Sequence, residues 1–244
     1  MCTVFFLKKA GLLSKNRDKE KVEVEEVIRT PEIIAVRTQG ASYFSLGINQ
    51  YGCAFVSTAV NSPEWTAAVE GGQLKQAKRI MNAETDGRIG PTSLLSELLP
   101  KIKSVDEWLD AIKNSKFKWR GYNLIMVDTN TAIHIEAFDR QTSFTQIDDH
   151  YICTNHFNSL EWGAQKPVEY QNSFDRFYYA QEKLPSIKNR SDLFAVIAPI
   201  KKRDKRRIWR TDMFQTISST VIDLHAKALY RCTDATGTFE KITL

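Results

Sequence analysis

Over the first sixty residues of this 244-residue chain, short apolar and β-branched runs separated by polar and turn residues read as strands. Residues 3–7 are β-branched and aromatic, Gly11 offers a turn, and a second strand ends near Asp18. Residues 21–30 set Val22, Val24 and Val27-Ile28 among charges, and residues 33–37, 43–49 and 53–60 continue the strand pattern. The middle of the chain turns helical. Residues 73–82 and 91–99 are plausible helices, the second opening on Pro91 and closed by Pro100. Ser104-Val105-Asp106-Glu107 has capping-box form, and Val105, Trp108, Leu109 and Ile112 then recur at helical spacing, the stripe of a helix with one buried face. Strands return at residues 122–128, 132–137, 142–146 and 151–154. Ser173 is placed to cap a helix running to Leu184, and Ser191-Asp192 to start a shorter one ending by Pro199. Residues 215–221, 228–232 and 239–243 are strand again. Strands, then helices, then strands imply antiparallel sheets covered by helices, the α+β layered class. No repeat or flexible linker divides the chain, so residues 1–244 are expected to form a single domain.

Composition narrows the function classes. With 42% hydrophobic and 26% charged residues the chain is neither disordered nor coiled coil. No apolar run approaches the ~18–20 residues of a membrane helix. The net charge of +5 equals that of Lys201-Lys202-Arg203-Asp204-Lys205-Arg206-Arg207 alone, so the rest is balanced. A nucleic-acid binder spreads its basic footprint over a face or helix; here a solvated loop is the simpler reading. Cysteines at 2, 53, 153 and 232 show neither zinc spacing nor a disulfide framework, and no metal or other cofactor is implied. The first residues are too short in apolar character for a secretory signal, so a reducing cytoplasm is expected.

Cys2 carries the chemistry. A small residue at position two normally lets the initiator methionine be removed, which leaves a thiol and a free α-amine on one residue. The unperturbed amine titrates near ~7.7–8.0 and the thiol near ~8.5, so the amine is a suitable base for the sulfur. Nucleophile and base then come without a triad. The histidines at 134, 150, 156 and 225 add little, because Cys153 and His156 are not spaced to bring ring nitrogen to sulfur. Cys53, Cys153 and Cys232 sit in apolar strand contexts and are expected in the core.

Met1-Cys2-Thr3 followed by Ser14-Lys15-Asn16-Arg17-Asp18 resembles the choloylglycine hydrolase and acyl-CoA:6-aminopenicillanate acyltransferase group of N-terminal nucleophile hydrolases. The resemblance continues in order through Gly47-Ile48-Asn49-Gln50-Tyr51-Gly52, the strand ending at Asn61, Thr154-Asn155-His156-Phe157, Asn172-Ser173-Phe174-Asp175-Arg176, and the closing strands from Thr216 to Tyr230. It implies a four-layer αββα sandwich of two antiparallel sheets flanked by helices. It also implies Cys2 as nucleophile, Asn155 as oxyanion donor and amine-orienting residue, Asn61 as a second donor, Asp18 as partner of the amine, and Arg176 against the site. Lys15 stands where bile-salt-cleaving members have arginine; it keeps a positive charge near the thiol but loses the planar fork. Arg17 alternates to the face opposite Asp18 and Asn16. Phe157, with Trp65, Trp162 and Tyr170, is a candidate wall of an apolar acyl pocket.

The expected activity is hydrolysis of a small linear non-peptide amide through an acyl-cysteine. An acyltransferase uses the same intermediate and differs only in the acceptor. The family of transport-and-Golgi-organisation proteins offers a sister resemblance through Met1-Cys2 and Gly121-Tyr122-Asn123-Leu124-Ile125, but Lys19 stands where that family has glutamate. A non-catalytic polyanion binder using the basic run at 201–207 is the alternative from a different class. The expected partner is a small-molecule amide substrate, with no nucleic acid and no membrane, and self-association is left open.

Overall fold

The structure, a computed structural model, describes residues 2–19, 23–160, 171–199, 208–211, 214–234 and 236–244. Two antiparallel sheets organise it. The first has six strands in the order β10-β1-β2-β11-β12-β13: β1 (Cys2–Leu7), β2 (Leu12–Lys19), β10 (His150–Cys153), β11 (Gln215–Asp223), β12 (Ala228–Cys232) and β13 (Glu240–Thr243). The second has seven strands in sequence order: β3 (Glu25–Arg29), β4 (Ile33–Thr38), β5 (Leu46–Asn49), β6 (Ala54–Ala59), β7 (Trp119–Val127), β8 (Ala132–Asp139) and β9 (Gln141–Gln146).

Strand parity explains the layers. Val4, Phe6 and Leu13 of the first sheet meet Ile34, Val36, Ile48 and Val56 of the second in a central core. Their neighbours Phe5, Leu7 and Leu12 point the other way, against Tyr179 and Ala180 of α5 (Gln171–Lys183) and Leu193 and Ile197 of α6 (Arg190–Ile197). The outer face of the second sheet packs Ala35 and Phe55 under α3 (Pro91–Leu98) and α4 (Val105–Lys113). The expected αββα sandwich is the observed one.

In α4 the predicted stripe of Val105, Trp108, Leu109 and Ile112 is buried, with Trp108 edge-on to Phe55 at 5.9 Å between ring centroids. Ser104 caps it by accepting from Glu107 N, but the Glu107 carboxylate takes Lys103 N instead of the cap's own N–H, so only half of the capping box forms. Two close approaches require glycine. A Cβ on Gly11 would lie 2.4 Å from His225 Nε2 in a turn with φ +61, and one on Gly47 would lie 2.8 Å from Leu99 Cδ2 where α3 crosses β5. Beside Gly47, buried Asn49 donates to the carbonyls of Leu99 and Ile102 and accepts from the amides of Tyr51 and Cys53. That motif therefore ties helix to hairpin, and Asn49 does not enter the cleft.

Ser62 caps α1 (Pro63–Glu70) by accepting from Trp65 N, with Pro63 at the first helical position. Two sequence expectations need correction. Ser173 is not a cap: α5 is helical from Gln171, which puts Ser173 inside it. Helix α6 is capped by Asn189 with Asp192 in a full capping box, one turn position before the expected start. Helix α2 (Leu74–Thr85) packs Ala77 with Trp65 and Val69 of α1 in a small satellite core that Phe214 completes. Residues 21 and 22 of the expected third strand, Trp162, Tyr170 and the basic run at 201–207 lie outside the described residues. No described helix is long and apolar enough to cross a membrane.

Candidate active site

The first residue of β1, the second strand of the first sheet, is Cys2. In the β1–β2 hairpin Cys2 is paired with Arg17, Thr3 with Asn16 and Val4 with Lys15. Cys2 shares the inward parity of Val4 and Phe6, so its side chain faces the gap between the sheets, while Thr3 faces the helical layer. On β2, Lys15 and Arg17 share the inward face with Leu13, and Ser14, Asn16 and Asp18 the outward one. The gap opens at this end into a cleft of about 190 Å³. Cys2, Lys15 and Asp18 line it together with Asn61 and Asn155, and Tyr43, Trp65, Tyr122 and Phe214 supply aromatic surface.

Arg176 and Asn155 reach the same residue from the helical layer. The backbone nitrogen of Cys2 donates to Asn155 Oδ1 at 2.6 Å. Arg176 donates through Nη2 to that same Oδ1 at 2.9 Å, and through Nη1 to Thr3 Oγ1 at 2.8 Å and to the Cys2 carbonyl. Its Nε donates to Asn172 Oδ1 one turn earlier on α5. Asp18 Oδ2 lies 3.9 Å from Arg176 Nη1, and Asp18 Oδ1 accepts from Thr216 Oγ1 at 2.7 Å. A register shift in β11 between Thr216 and Ser218 sets that hydroxyl opposite Asp18.

The Asn155 amide orientation is forced by its neighbours. Two donors, Cys2 N and Arg176 Nη2, face Oδ1, while the Ala59 carbonyl at 2.6 Å and Thr58 Oγ1 at 3.1 Å accept from Nδ2. Oδ1 thus accepts from the Cys2 backbone nitrogen, whereas in this arrangement Nδ2 is committed to β6. Around it, Asn155 N donates to Ser173 Oγ, and Asn123 Nδ2 donates to the carbonyls of Thr154 and His156. Thr58, Asn123, Ser173 and Thr216 are thus supports that a motif-by-motif reading does not assign. The available signal is a polar residue buried inside an apolar strand, as in Asn123, which must find partners.

Charge in the cleft is set by burial against local cations. Burial alone pushes the Cys2 thiol up, but the Lys15 ammonium, the chain-terminal amine and, more weakly, Arg17 outweigh it, and the thiol sits below its ordinary value. Burial lowers Lys15 to about 8, with the Cys2 sulfur opposing that shift. Asp18 is raised, chiefly by burial, with Arg176 opposing. Arg17 does face away from Asp18, and the same parity brings it into the cleft wall, where Glu25 and Thr38 bind its guanidinium. Phe157 is placed elsewhere: it is buried facing Phe138 at 6.4 Å and does not line the cleft, because the turn after Asn155 carries it toward β8. His156 is no partner for a cysteine. Burial lowers it to about 4, its ring stacks on Phe174, and Nδ1 meets the hydroxyls of Thr154 and Ser173. Cys153 is in the central core, and burial raises its thiol.

The family model of acyl-coenzyme A:6-aminopenicillanic acid acyl-transferase matches residues 95–238. The chain belongs to this family. The matched region of this acyl-transferase family contains Asn155 and Arg176, and Cys2, Lys15 and Asp18 precede it. Among solved structures, the C2A mutant of conjugated bile acid hydrolase from Clostridium perfringens superposes with a TM-score of 0.61 at 14% identity, covering 100% of this chain and 92% of that one. An N-acylethanolamine-hydrolyzing acid amidase ortholog from Caenorhabditis elegans gives 0.60 at 12% identity, with 100% of both chains covered. Penicillin V acylase from Agrobacterium tumefaciens gives 0.52 at 12%, covering 100% and 86%. At such identities the likeness is one of fold, that of the N-terminal nucleophile hydrolases. No curated protein sequence matches the chain.

Proposed function

We propose that the chain is an N-terminal cysteine amidohydrolase that cleaves a small linear, non-peptide amide through an acyl-cysteine. The observation that carries this reading is the convergence on Cys2: its sulfur lines the cleft, and its backbone nitrogen rests on Asn155 Oδ1, which Arg176 also holds. With residue one removed, that nitrogen becomes a free amine already oriented by an acceptor. The Cys2 amine takes the Sγ–H proton as the sulfur attacks the amide carbonyl; a C–S bond forms, and the carbonyl π electrons move onto oxygen. As the tetrahedral species collapses, the C–N bond breaks and the leaving amine takes up a proton from the Cys2 amine. Water then attacks the thioester, releasing the acid and returning the thiol.

Asn155 acts here through the amine. Stabilisation of the developing oxyanion falls to Asn61, which lines the cleft at the end of β6. Asp18, buried beside Arg176, sets the field around the amine. The family's name favours a second reading, transfer of the same acyl group to an amine in place of water.

The test uses purified protein whose N-terminus is first determined by mass spectrometry. Protein beginning at Cys2 is incubated with a conjugated bile acid, an N-acylethanolamine and penicillin V, the amide classes of the structural neighbours. Expected are release of acid and amine from at least one class, an acyl adduct on Cys2 in quenched samples, and loss of both in Cys2→Ala. Added amine acceptors distinguish transfer from hydrolysis. Processed protein that forms no adduct and turns over none of the three refutes the proposal.

A further inference from the structure

The seven-stranded sheet ends on β9, and among the described residues only β8 pairs with that strand. Its sequence, Gln141-Thr142-Ser143-Phe144-Thr145-Gln146, holds no charge, proline or glycine. Exposed sheet edges are normally blunted by charge or by shortness, because their free backbone groups template pairing with another chain. The other three edges follow that rule. Strand β3 carries Glu25, Glu26 and Arg29, β10 has four residues, and β13 has four that include Glu240 and Lys241. Strand β9 does not.

The ladder shows which groups are free. Ile147 N donates to the Ala132 carbonyl, so Ile147 turns its peptide groups toward β8. That direction alternates along an antiparallel strand. Ser143 and Thr145 therefore face β8 as well, while Thr142, Phe144 and Gln146 each direct an N–H and a C=O away from the sheet. Their side chains share the face of Ile135 and Ala137, toward the helical layer. Phe144 is 37% exposed there, with Lys113 Nζ 5.3 Å from its ring centroid. Beside Thr142 and Arg140 a hollow of about 400 Å³ takes in Phe117, itself 48% exposed.

A second copy of the chain answers these groups in one register. A two-fold axis at Phe144 sets this residue opposite its own copy, and Thr142 opposite Gln146 of the second copy. Every outward N–H then meets an outward C=O. A shift of two residues strands the groups at one end, and a shift of one turns the donors of one strand toward side of the other that holds none. The same register brings the two exposed Phe144 rings side by side, with Cα atoms about 5.5 Å apart, and cross-strand aromatic pairs stabilise a sheet. It also sets Arg140, in the turn before β9, opposite Asp148, in the bend after it, and the symmetry makes that match twice. Both are exposed, and among the described residues neither meets an opposite charge. Their neighbours do: Asp139 lies 3.5 Å from Arg88, and Asp149 3.7 Å from Lys9. The like charges brought together are the two Lys113 ammoniums, each over its own aromatic ring, where the ring face attracts the cation.

We propose that β9 is a self-association edge. Two copies pair antiparallel through Thr142, Phe144 and Gln146, and each seven-stranded sheet continues into the other. The contact is isologous and closes at two, because pairing consumes the β9 edge of both copies. It stands independently of the chemistry at Cys2.

The experiment is sedimentation equilibrium of the full chain from about 1 μM to about 1 mM, giving a dimer dissociation constant. Gln146→Pro removes an outward N–H that β8 does not use, and is expected to raise that constant by roughly tenfold or more. Arg140→Asp and Asp148→Arg each set like charges against each other, and are each expected to raise it about tenfold. The double variant exchanges the two charges and is expected to return to within about threefold of the unsubstituted protein. Matching circular dichroism checks that each variant is folded. Hydrogen exchange of the unsubstituted protein, read on peptides spanning 141–147, needs no variant: protection is expected to grow with protein concentration. A chain that stays monomeric over the whole range overturns the proposal. So does a dimer whose dissociation constant ignores Gln146→Pro, a double charge variant no better than the single ones, or exchange in 141–147 that does not depend on concentration.

Discussion

Replacing Arg176 tests whether the site is held together as the geometry implies. Its guanidinium is 1% exposed and donates to Asn172 Oδ1, Thr3 Oγ1, Asn155 Oδ1 and the Cys2 carbonyl, with Asp18 Oδ2 at 3.9 Å. Hydrogen bonds to a charged donor are worth about 1.5–3 kcal/mol each, but those on one side chain do not add. Breaking a buried pair by removing one partner costs about 3–5 kcal/mol, because the other charge is left behind. Arg176→Met is therefore expected to lower unfolding free energy by about 3–5 kcal/mol, a large share of the roughly 5–15 kcal/mol of a typical domain. Arg176→Lys keeps the charge but cannot span four acceptors, and is expected to lose about half as much. The discriminating step is a double-mutant cycle with Asp18→Asn. If Asp18 is the group stranded by Arg176→Met, neutralising it recovers about 1 kcal/mol or more in the double variant. Urea unfolding followed by far-ultraviolet circular dichroism, with unchanged m-values, gives the four free energies. An Arg176→Met loss under about 1 kcal/mol, or additivity with Asp18→Asn, refutes the reasoning.

Two further outcomes follow from the same site. Asp18 has its folded pKa raised, chiefly by burial, so the folded chain keeps a proton that the unfolded chain has released; this group weakens folding as pH climbs from the unfolded carboxylate range through its folded value. Relative to the unsubstituted protein, Asp18→Asn should gain stability as pH rises above the unfolded carboxylate value of about 4, and urea titrations showing a flat or falling difference would contradict the assignment. The aromatic wall separates substrate contact from core. Trp65→Ala should raise KM for whichever amide is turned over, whereas Phe157→Ala, outside the cleft, should leave KM within about threefold and instead lower the urea midpoint, as aromatic truncation in a core does. Equal KM effects from the two would mean that the cleft does not hold the acyl group.

Much of this architecture is legible in the sequence because β1, β4 and β6 are short apolar and β-branched runs bounded by turn residues, as strands buried on both faces are. The stripe of α4 is legible in its helical spacing. Local polar signals are less decisive. Ser62-Pro63 opens a loop as readily as a helix, and what selects the helix is the apolar pocket that Trp65 and Val69 find against Phe214. Ser173 has the chemistry of a cap, but its hydroxyl is used across the layers to accept from Asn155 N, a partner no local window contains. Phe157 shows the limit of reading apolar character: hydrophobicity predicts that it is buried, not which of two apolar spaces it fills.

The deepest gap concerns faces. Alternation along β2 shows that Arg17 and Asp18 point opposite ways, but it does not say which way the chemistry lies. The structure answers that both ways matter, because Cys2 occupies the end of a strand whose two sides both hold machinery. Its sulfur faces the intersheet cleft with Lys15, while its backbone carbonyl meets Arg176 from the helical side. A side chain in mid-strand would give a catalytic group access to one layer. A strand's first residue offers its backbone nitrogen and carbonyl as well, so Asn155 meets the nitrogen and Arg176 of α5 the carbonyl while the second sheet shapes the cleft. The proposed chemistry uses that division at the terminus of β1, and Lys15 and Asp18 occupy odd and even positions of the neighbouring strand, one lining the cleft with Cys2 and the other 3.9 Å from Arg176.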